Sequence, residues 1–277
     1  MGMSSGNSRF LAKAAAVTIG LWLCGTAHAD RLADIKSRGS LTCGTLSTNQ
    51  PMGYQDPKTR EIVGFDVDTC AAIAKHIGVK MEHKPVSVEA RIPELALGRV
   101  DLIAAALGYT PERAKQIAFS DIHYQIPIKL IVADDSAFKT LDDLKGKKIS
   151  ASKGSTPEQF ARQKIANADV VTFQDSPSAF LALQQHKVDA FAISYLSGVR
   201  YVTEGAGFHW MAPDLHWEPT GIGVKKGEPA LLKAVNDALA QMDKTGEMDA
   251  IWDKWFGPQT PYKLVREKKL TPLSAFQ

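Results

Sequence analysis

From Leu41 onward the chain alternates short apolar runs with amphipathic stretches, and this alternation constrains its fold more than any other feature. Short apolar runs separated by helical periods are the pattern of βα units around a mostly parallel sheet. Strands are expected at residues 41–46, 80–85, 101–107, 128–133, 148–151, 169–173, 189–193 and 221–225. Helices are expected at 67–77, 111–117, 157–165 and 178–186. A long helical region at 229–256 should break near Gly246 and stop at Gly257-Pro258.

The two halves of this pattern echo each other. Leu95-Ala96-Leu97-Gly98-Arg99-Val100-Asp101 reads as a helix end followed by a strand start, and so does Leu183-Gln184-Gln185-His186-Lys187-Val188-Asp189. Gly98 suits the left-handed residue that closes a helix, and His186 takes that slot in the second copy. Thr110-Pro111-Glu112 and Thr156-Pro157-Glu158 each read as a Thr cap, a Pro at the first helical position and an acid in the first turn. Two similar α/β lobes facing a cleft follow, and without a low-complexity linker the crossings between them must be short.

Residues 1–29 are a separate matter. Arg9 and Lys13 give a basic start, residues 14–23 an apolar run, and Ala27-His28-Ala29 a small-x-small end. That is the layout of a secretory signal peptide cleaved after Ala29, with an apolar run too short to span a bilayer as a mature helix. Cys24 is a poor lipidation site, because Leu23 before it is not small. The stretch also carries two of the 33 Lys+Arg and none of the 30 Asp+Glu, so the remainder has 31 bases against 30 acids. A nearly neutral exported chain gives no reason to expect a nucleic-acid partner.

Export places Cys43 and Cys70 in an oxidising compartment. They form a disulfide if the first strand and first helix bring them together; two buried free thiols are the favoured reading on sequence alone.

Helix starts supply the candidate chemistry. A helix N-terminus offers unpaired N–H groups and partial positive charge, and so receives anions. Arg113 sits in the first turn of the helix capped by Thr110, where its guanidinium suits a carboxylate unless it pairs with Asp121. Gly154-Ser155-Thr156 places two hydroxyls at another helix start. Together the two starts form a clamp for one small carboxylate between lobes.

Several motifs together carry a family resemblance. They are Val63-Gly64-Phe65-Asp66-Val67-Asp68, Arg91-Ile92-Pro93, residues 98–101 and 110–113, Phe119-Ser120-Asp121, residues 143–148, Gly154-Ser155-Thr156, Val188-Asp189-Ala190, Gly221-Ile222-Gly223 and residues 252–256. In order and over nearly the whole mature chain, this set resembles the family 3 bacterial extracellular solute-binding proteins, the polar amino-acid receptors of ABC importers. Its C-terminal part looks most like the glutamate/aspartate-type branch. The resemblance implies a two-lobed periplasmic binding protein fold (type II) with two hinge strands, crossing near residues 125–129 and 218–223. It implies lobe 1 at 30–125 plus 222–277 and lobe 2 at 126–221. It implies a monomer in the periplasm that binds a small carboxylate ligand and delivers it to an inner-membrane ABC permease.

Carried over residue by residue, the resemblance matches Arg113 to the arginine that holds the ligand α-carboxylate, with Thr110, Ser155 and Thr156 as its helpers. It also exposes departures. The acid that usually receives the α-amino group falls at Ser194, and usual hydroxyl positions fall at Ala105, Ala106 and Gly108. A covering aromatic falls at Asn49, for which Tyr54 or Tyr109 are substitutes. A buried ammonium without a carboxylate is costly, so Ser194 implies either a ligand lacking the amine or a replacement acid. Glu218 is the candidate replacement.

Seven histidines occur without metal spacing, and neither a Gly-x-Ser-x-Gly elbow nor a phosphate loop is present. No cofactor or metal is expected. The alternative class is a dehydratase-like enzyme on the same fold, using His123, Glu218 or Asp121.

Overall fold

The computed structural model describes residues 1–3 and 30–277. The expected signal segment lies outside the described residues, apart from its first three. In chain order the elements are α1 (Arg31–Arg38), β1 (Ser40–Thr45), β2 (Thr48–Asn49), β3 (Gly53–Gln55), β4 (Ile62–Val63), α2 (Phe65–Ile77), β5 (Lys80–Pro85), α3 (Arg91–Ala96) and β6 (Leu102–Ile103). There follow α4 (Pro111–Ala114), β7 (Ile117–Ala133), β8 (Lys148–Ser152), α5 (Thr156–Lys164), β9 (Asp169–Phe173), α6 (Ser176–Gln184), β10 (Ala190–Ser194) and α7 (Tyr195–Thr203). Then come β11 (Phe208–Trp210), β12 (His216–Lys225), α8 (Pro229–Thr245) and α9 (Glu247–Trp255), the break between α8 and α9 falling at Gly246, and short 3-10 turns lie at Leu141–Leu144 and Leu273–Phe276.

The main sheet has the order β5-β1-β6-β12-β7-β10-β8-β9. β5, β1 and β6 run parallel on one side, and β10, β8 and β9 run parallel on the other. Between them β7 and β12 pair antiparallel from Ile117↔Lys225 to Ile128↔His216. Each end of this ladder serves a different lobe. Ile35, Phe65, Leu102, Leu239 and Trp252 pack in one core, whereas Ile128, Leu130, Ile149, Ala161 and Ala190 pack in another. The architecture is therefore the expected α/β fold of two lobes, joined through two long strands.

The sequence echo has a physical basis. Asp101 Oδ2 accepts from Thr42 N at 2.7 Å while Asp101 N donates to Thr42 O at 2.8 Å. Asp189 Oδ2 accepts from Lys148 N at 2.8 Å while Asp189 N donates to Lys148 O at 2.7 Å. Each aspartate thus satisfies an N–H of the lobe's central strand, which Leu or Val at that position would leave without its side-chain acceptor. Gly98 and His186, three residues earlier in each copy, take positive φ of 69° and 53°.

Three sequence expectations are corrected. Cys43 on β1 and Cys70 on α2 form a disulfide, their Cα atoms 6.6 Å apart; α2 folds back over β1 and brings them together. The helix expected at 111–117 is the single turn α4, because the chain enters β7 at Ile117. The second echo is offset by one residue. Ser155, not Thr156, caps α5 by accepting from Glu158 N at 3.2 Å, and this leaves the Thr156 hydroxyl free to point elsewhere.

Candidate ligand site

Two arginines approach the seam between lobes from the first lobe. Thr110 caps α4, its hydroxyl accepting from Arg113 N at 3.2 Å. The Arg113 guanidinium folds back, donating from Nη1 to Gly108 O at 2.7 Å and from Nη2 to Gly154 O at 3.0 Å. It does not pair with Asp121, whose carboxylate accepts from Leu273 N. Arg91, at the start of α3, donates from Nε to Val88 O at 2.8 Å and from Nη1 to Ala105 O and Ala106 O at 2.8 and 2.9 Å. Its Nη2 reaches the same Gly154 carbonyl at 3.5 Å. One carbonyl of the second lobe therefore receives two guanidinium groups of the first.

Glu218 faces them from β12. It is 2% exposed. Thr156 Oγ1 donates to its Oε1, and Ser194 Oγ donates to its Oε2 at 2.5 Å. The backbone beside it is equally close: Gly108 bridges Thr220, and Tyr109 N donates to Pro219 O at 2.7 Å. A Cβ on Gly108 would overlap the Glu218 carboxyl group, so only glycine admits that side chain here.

Burial governs the charges. It pushes Arg91 down to about 9, with Arg113 adding to the shift while Glu218 and Asp66 oppose it. Burial also lowers Arg113, against the attraction of Glu218. Asp66, which accepts from Ala106 N at 2.8 Å, is pushed up to about 7 by burial, against that N–H and Arg91. Two buried cations thus meet two buried carboxyl groups, the arrangement in which such groups are tolerated away from water.

A cavity of about 30 Å³ lies at this seam, with room for about two water molecules. Asn49, Ala106, Ser155, Thr156 and Ser194 line it, together with Arg91, Ser152, Ser176 and Ser197. Glu218 is joined to it through Thr156 and Ser194, and Arg113 through Gly154, whose neighbour Ser155 lines it. Asn49 donates from Nδ2 to Ser197 Oγ at 2.9 Å, and its Oδ1 is buried without a partner. Tyr54 lies apart, edge-on to Trp255, and Tyr109 packs on Phe119. Of the residues considered for acid–base work, His123 is buried with neither ring nitrogen bonded to a side chain and stacks on Phe65.

Sequence reasoning assigned no role to Arg91, Ser152, Ser176 or Ser197. Arg91 was visible as a lone cation at a helix start; the serines carry no comparable signal, since serine is ordinary in such positions. Among the described residues, no group of three or more His, Cys, Asp or Glu is placed to hold a metal ion, and no helix is long and apolar enough to cross a membrane.

Comparison with known proteins agrees with this architecture. A model of the bacterial extracellular solute-binding proteins, family 3, matches residues 41–258. The chain is 35% identical over 230 residues to the ABC transporter glutamine-binding protein GlnH of Bacillus subtilis, covering 82% of this chain and 84% of that one. It is 31% identical over 247 residues to the L-cystine-binding protein TcyJ of Escherichia coli, covering 88% and 92%. Among solved structures, an ancestral arginine-binding protein bound to arginine superposes with a TM-score of 0.75 at 38% identity, covering 79% of this chain and 99% of that one.

Proposed function

Because the chain belongs to the family 3 bacterial extracellular solute-binding proteins, we propose that it is an exported receptor that captures a small α-amino acid between its lobes and hands it to an ABC permease. The reading assigns residues 1–29 as a signal peptide removed after Ala29, and the periplasm as the working compartment of a monomer. Lobe 1 is 30–125 plus 222–277, and lobe 2 is 126–221; the separate cores on either side of the β7–β12 ladder support this division.

The observation that carries the reading is Glu218. Ser194 stands where relatives are expected to place an acid for the ligand amine, and its hydroxyl holds the Glu218 carboxylate instead. A buried carboxylate beside two buried guanidinium groups suits a zwitterion, which presents a cation and an anion at fixed spacing. Arg113 receives the α-carboxylate with the help of Thr110, Ser155 and Thr156. Glu218, positioned by Ser194, Thr156 and the open space at Gly108, receives the α-amino group. Ala106 and Asn49 form part of the wall.

A cavity of about 30 Å³ is too small for an amino acid, so the lobes separate to admit the solute and reclose on it. Ligand stabilises the closed form only by contacts it gains there. A thermal-shift panel of amino acids, each beside its des-amino counterpart, tests this. Ligand bound only to the native state raises the melting temperature, so α-amino acids should stabilise and des-amino acids should not. Stabilisation by des-amino acids alone would overturn the assignment of Glu218.

A further inference from the structure

Helix α7 starts beside the arginine–glutamate cluster at Ser194 and runs along the seam, with one of its faces committed to the other lobe. Ser197 Oγ accepts from Asn49 Nδ2 at 2.9 Å. One turn on, Arg200 Nη1 donates to Gln50 Oε1 at 3.1 Å. At the helix end, Glu204 Oε1 accepts from Tyr262 Oη at 2.7 Å. Positions 197, 200 and 204 follow the three-then-four spacing of a single helical face. Leu196, beside this row, is fully buried in the core of the first lobe although its helix packs on β7, β10 and β11.

Asn49 ends β2 of the small sheet of the first lobe, and Gln50 opens the turn that follows it. Tyr262 comes from further away. It lies beyond Pro258, where the match to the family model ends, in a C-terminal strap covering 259–277. The strap is tied to the first lobe along its length. Arg266 bonds Asp243, Asp249 and the His123 carbonyl, and Thr271 pairs with Ile122 in both directions at 2.9 Å. Leu273 N donates to Asp121 Oδ1 at 2.9 Å. With its own lobe held this firmly, the strap stays with the first lobe, so separating the lobes has to break the Tyr262–Glu204 bond.

We propose that the α7 face of Leu196, Ser197, Arg200 and Glu204 is a closure latch, with the strap residue Tyr262 as its added catch. Ser197 also lines the cavity, but the outer part of the latch, Arg200, Glu204 and Tyr262, sets the affinity of the site without selecting among ligands. A receptor that is closed for only part of the time binds with its intrinsic affinity reduced by that fraction, whatever the ligand. Arg200 and Glu204 are absent from the cavity wall, so they act on the closed fraction and not on the ligand. The effect on affinity rests on the function proposed above; the effect on closure does not.

The test is therefore made without ligand. Spin labels at Lys75→Cys and Lys187→Cys, both exposed and on opposite lobes, report the distance between lobes in the mature chain by pulsed electron resonance. Tyr262→Phe and Arg200→Gln each remove one hydrogen bond, which should change the closed-to-open ratio roughly five-fold, and together about twenty-five-fold. The long-distance population should grow in that order while each variant still melts in one cooperative transition. A double variant with the unaltered distance distribution overturns the latch. A protein that binds nothing in the amino-acid panel overturns the function instead, and leaves the latch to be judged by its own distances.

Discussion

Ser194 Oγ lies 2.5 Å from Glu218 Oε2, so the serine that stands in a place expected for an acid holds an acid that arrives from another strand. Glu218→Gln keeps the shape and the hydroxyl contacts but removes the charge. Binding of α-amino acids should then weaken about a hundred-fold or more, since an unpaired buried ammonium is costly. Calorimetry on the variant measures this directly, and the variant should also melt at a lower temperature, because buried Arg91 and Arg113 lose the charge that faces them.

Gly108 makes the arrangement sterically possible. Gly108→Ala places a methyl group on the Glu218 carboxyl, and either the side chain or the β12 backbone must shift. Crowding of this kind costs about 1–3 kcal/mol. Denaturant unfolding should show that loss, and the same variant should bind amino acids at least about ten-fold less tightly.

The two arginines should separate by phenotype. Arg91 donates to Val88, Ala105 and Ala106 and holds the backbone that leads to Gly108, so Arg91→Ala should destabilise the fold by about 2–4 kcal/mol. Arg113 makes fewer bonds within its own lobe. Arg113→Ala should abolish binding at a smaller cost in stability, as chemical denaturation and calorimetry together would show.

Two buried groups give opposite pH dependences. Asp66, pushed up to about 7, holds its proton longer in the native state than in the unfolded chain. Its contribution to stability is full below pH 4 and falls as pH rises towards 7. His123, pushed down to about 3 by burial and by Arg266, is neutral in the native state while the unfolded chain still takes up protons. Its contribution falls as pH drops from 6.5 towards 3. Each slope is at most about 1.4 kcal/mol per pH unit, and between pH 4 and 6.5 they oppose one another. Asp66→Asn should therefore make stability rise more steeply with pH across that window, and His123→Phe should make it rise less or fall. Unfolding free energies measured at pH 4.5 and 6.5 decide the signs.

The Cys43–Cys70 bridge closes a loop of 27 residues. Replacing both cysteines with alanine should cost about 3 kcal/mol through the wider freedom of the unfolded chain. Affinity should not change, because neither cysteine lines the cavity at the seam.

The parts of this molecule that were legible in its sequence are those set by local chemistry. The apolar period revealed most strands, and the repeated aspartates 101 and 189 revealed the two lobes because each satisfies the same strand N–H. Thr110 announced its cap. Helix α7 was not legible: Gly198 in its middle weakens the helical signal, yet the ring of Trp210 leaves no space there for a Cβ. Nor was the approach of Cys43 to Cys70, or of Glu218 to Ser194, because each joins elements whose spacing only the folded chain defines. Glu218 could be named as a candidate acid, but its direction depends on the bulges between Thr220 and Gly223 in β12 and on the bare Cα of Gly108.

The central claim is that Glu218 makes this a receptor for α-amino acids. Its most direct test is the calorimetric affinity of the mature chain for the best amino acid of the panel and for the same molecule without its amine, each repeated with Glu218→Gln. The amine should be worth about a hundred-fold in affinity in the unaltered chain, and little of that should survive in the variant. Equal affinity for the two compounds in the unaltered chain would contradict the account.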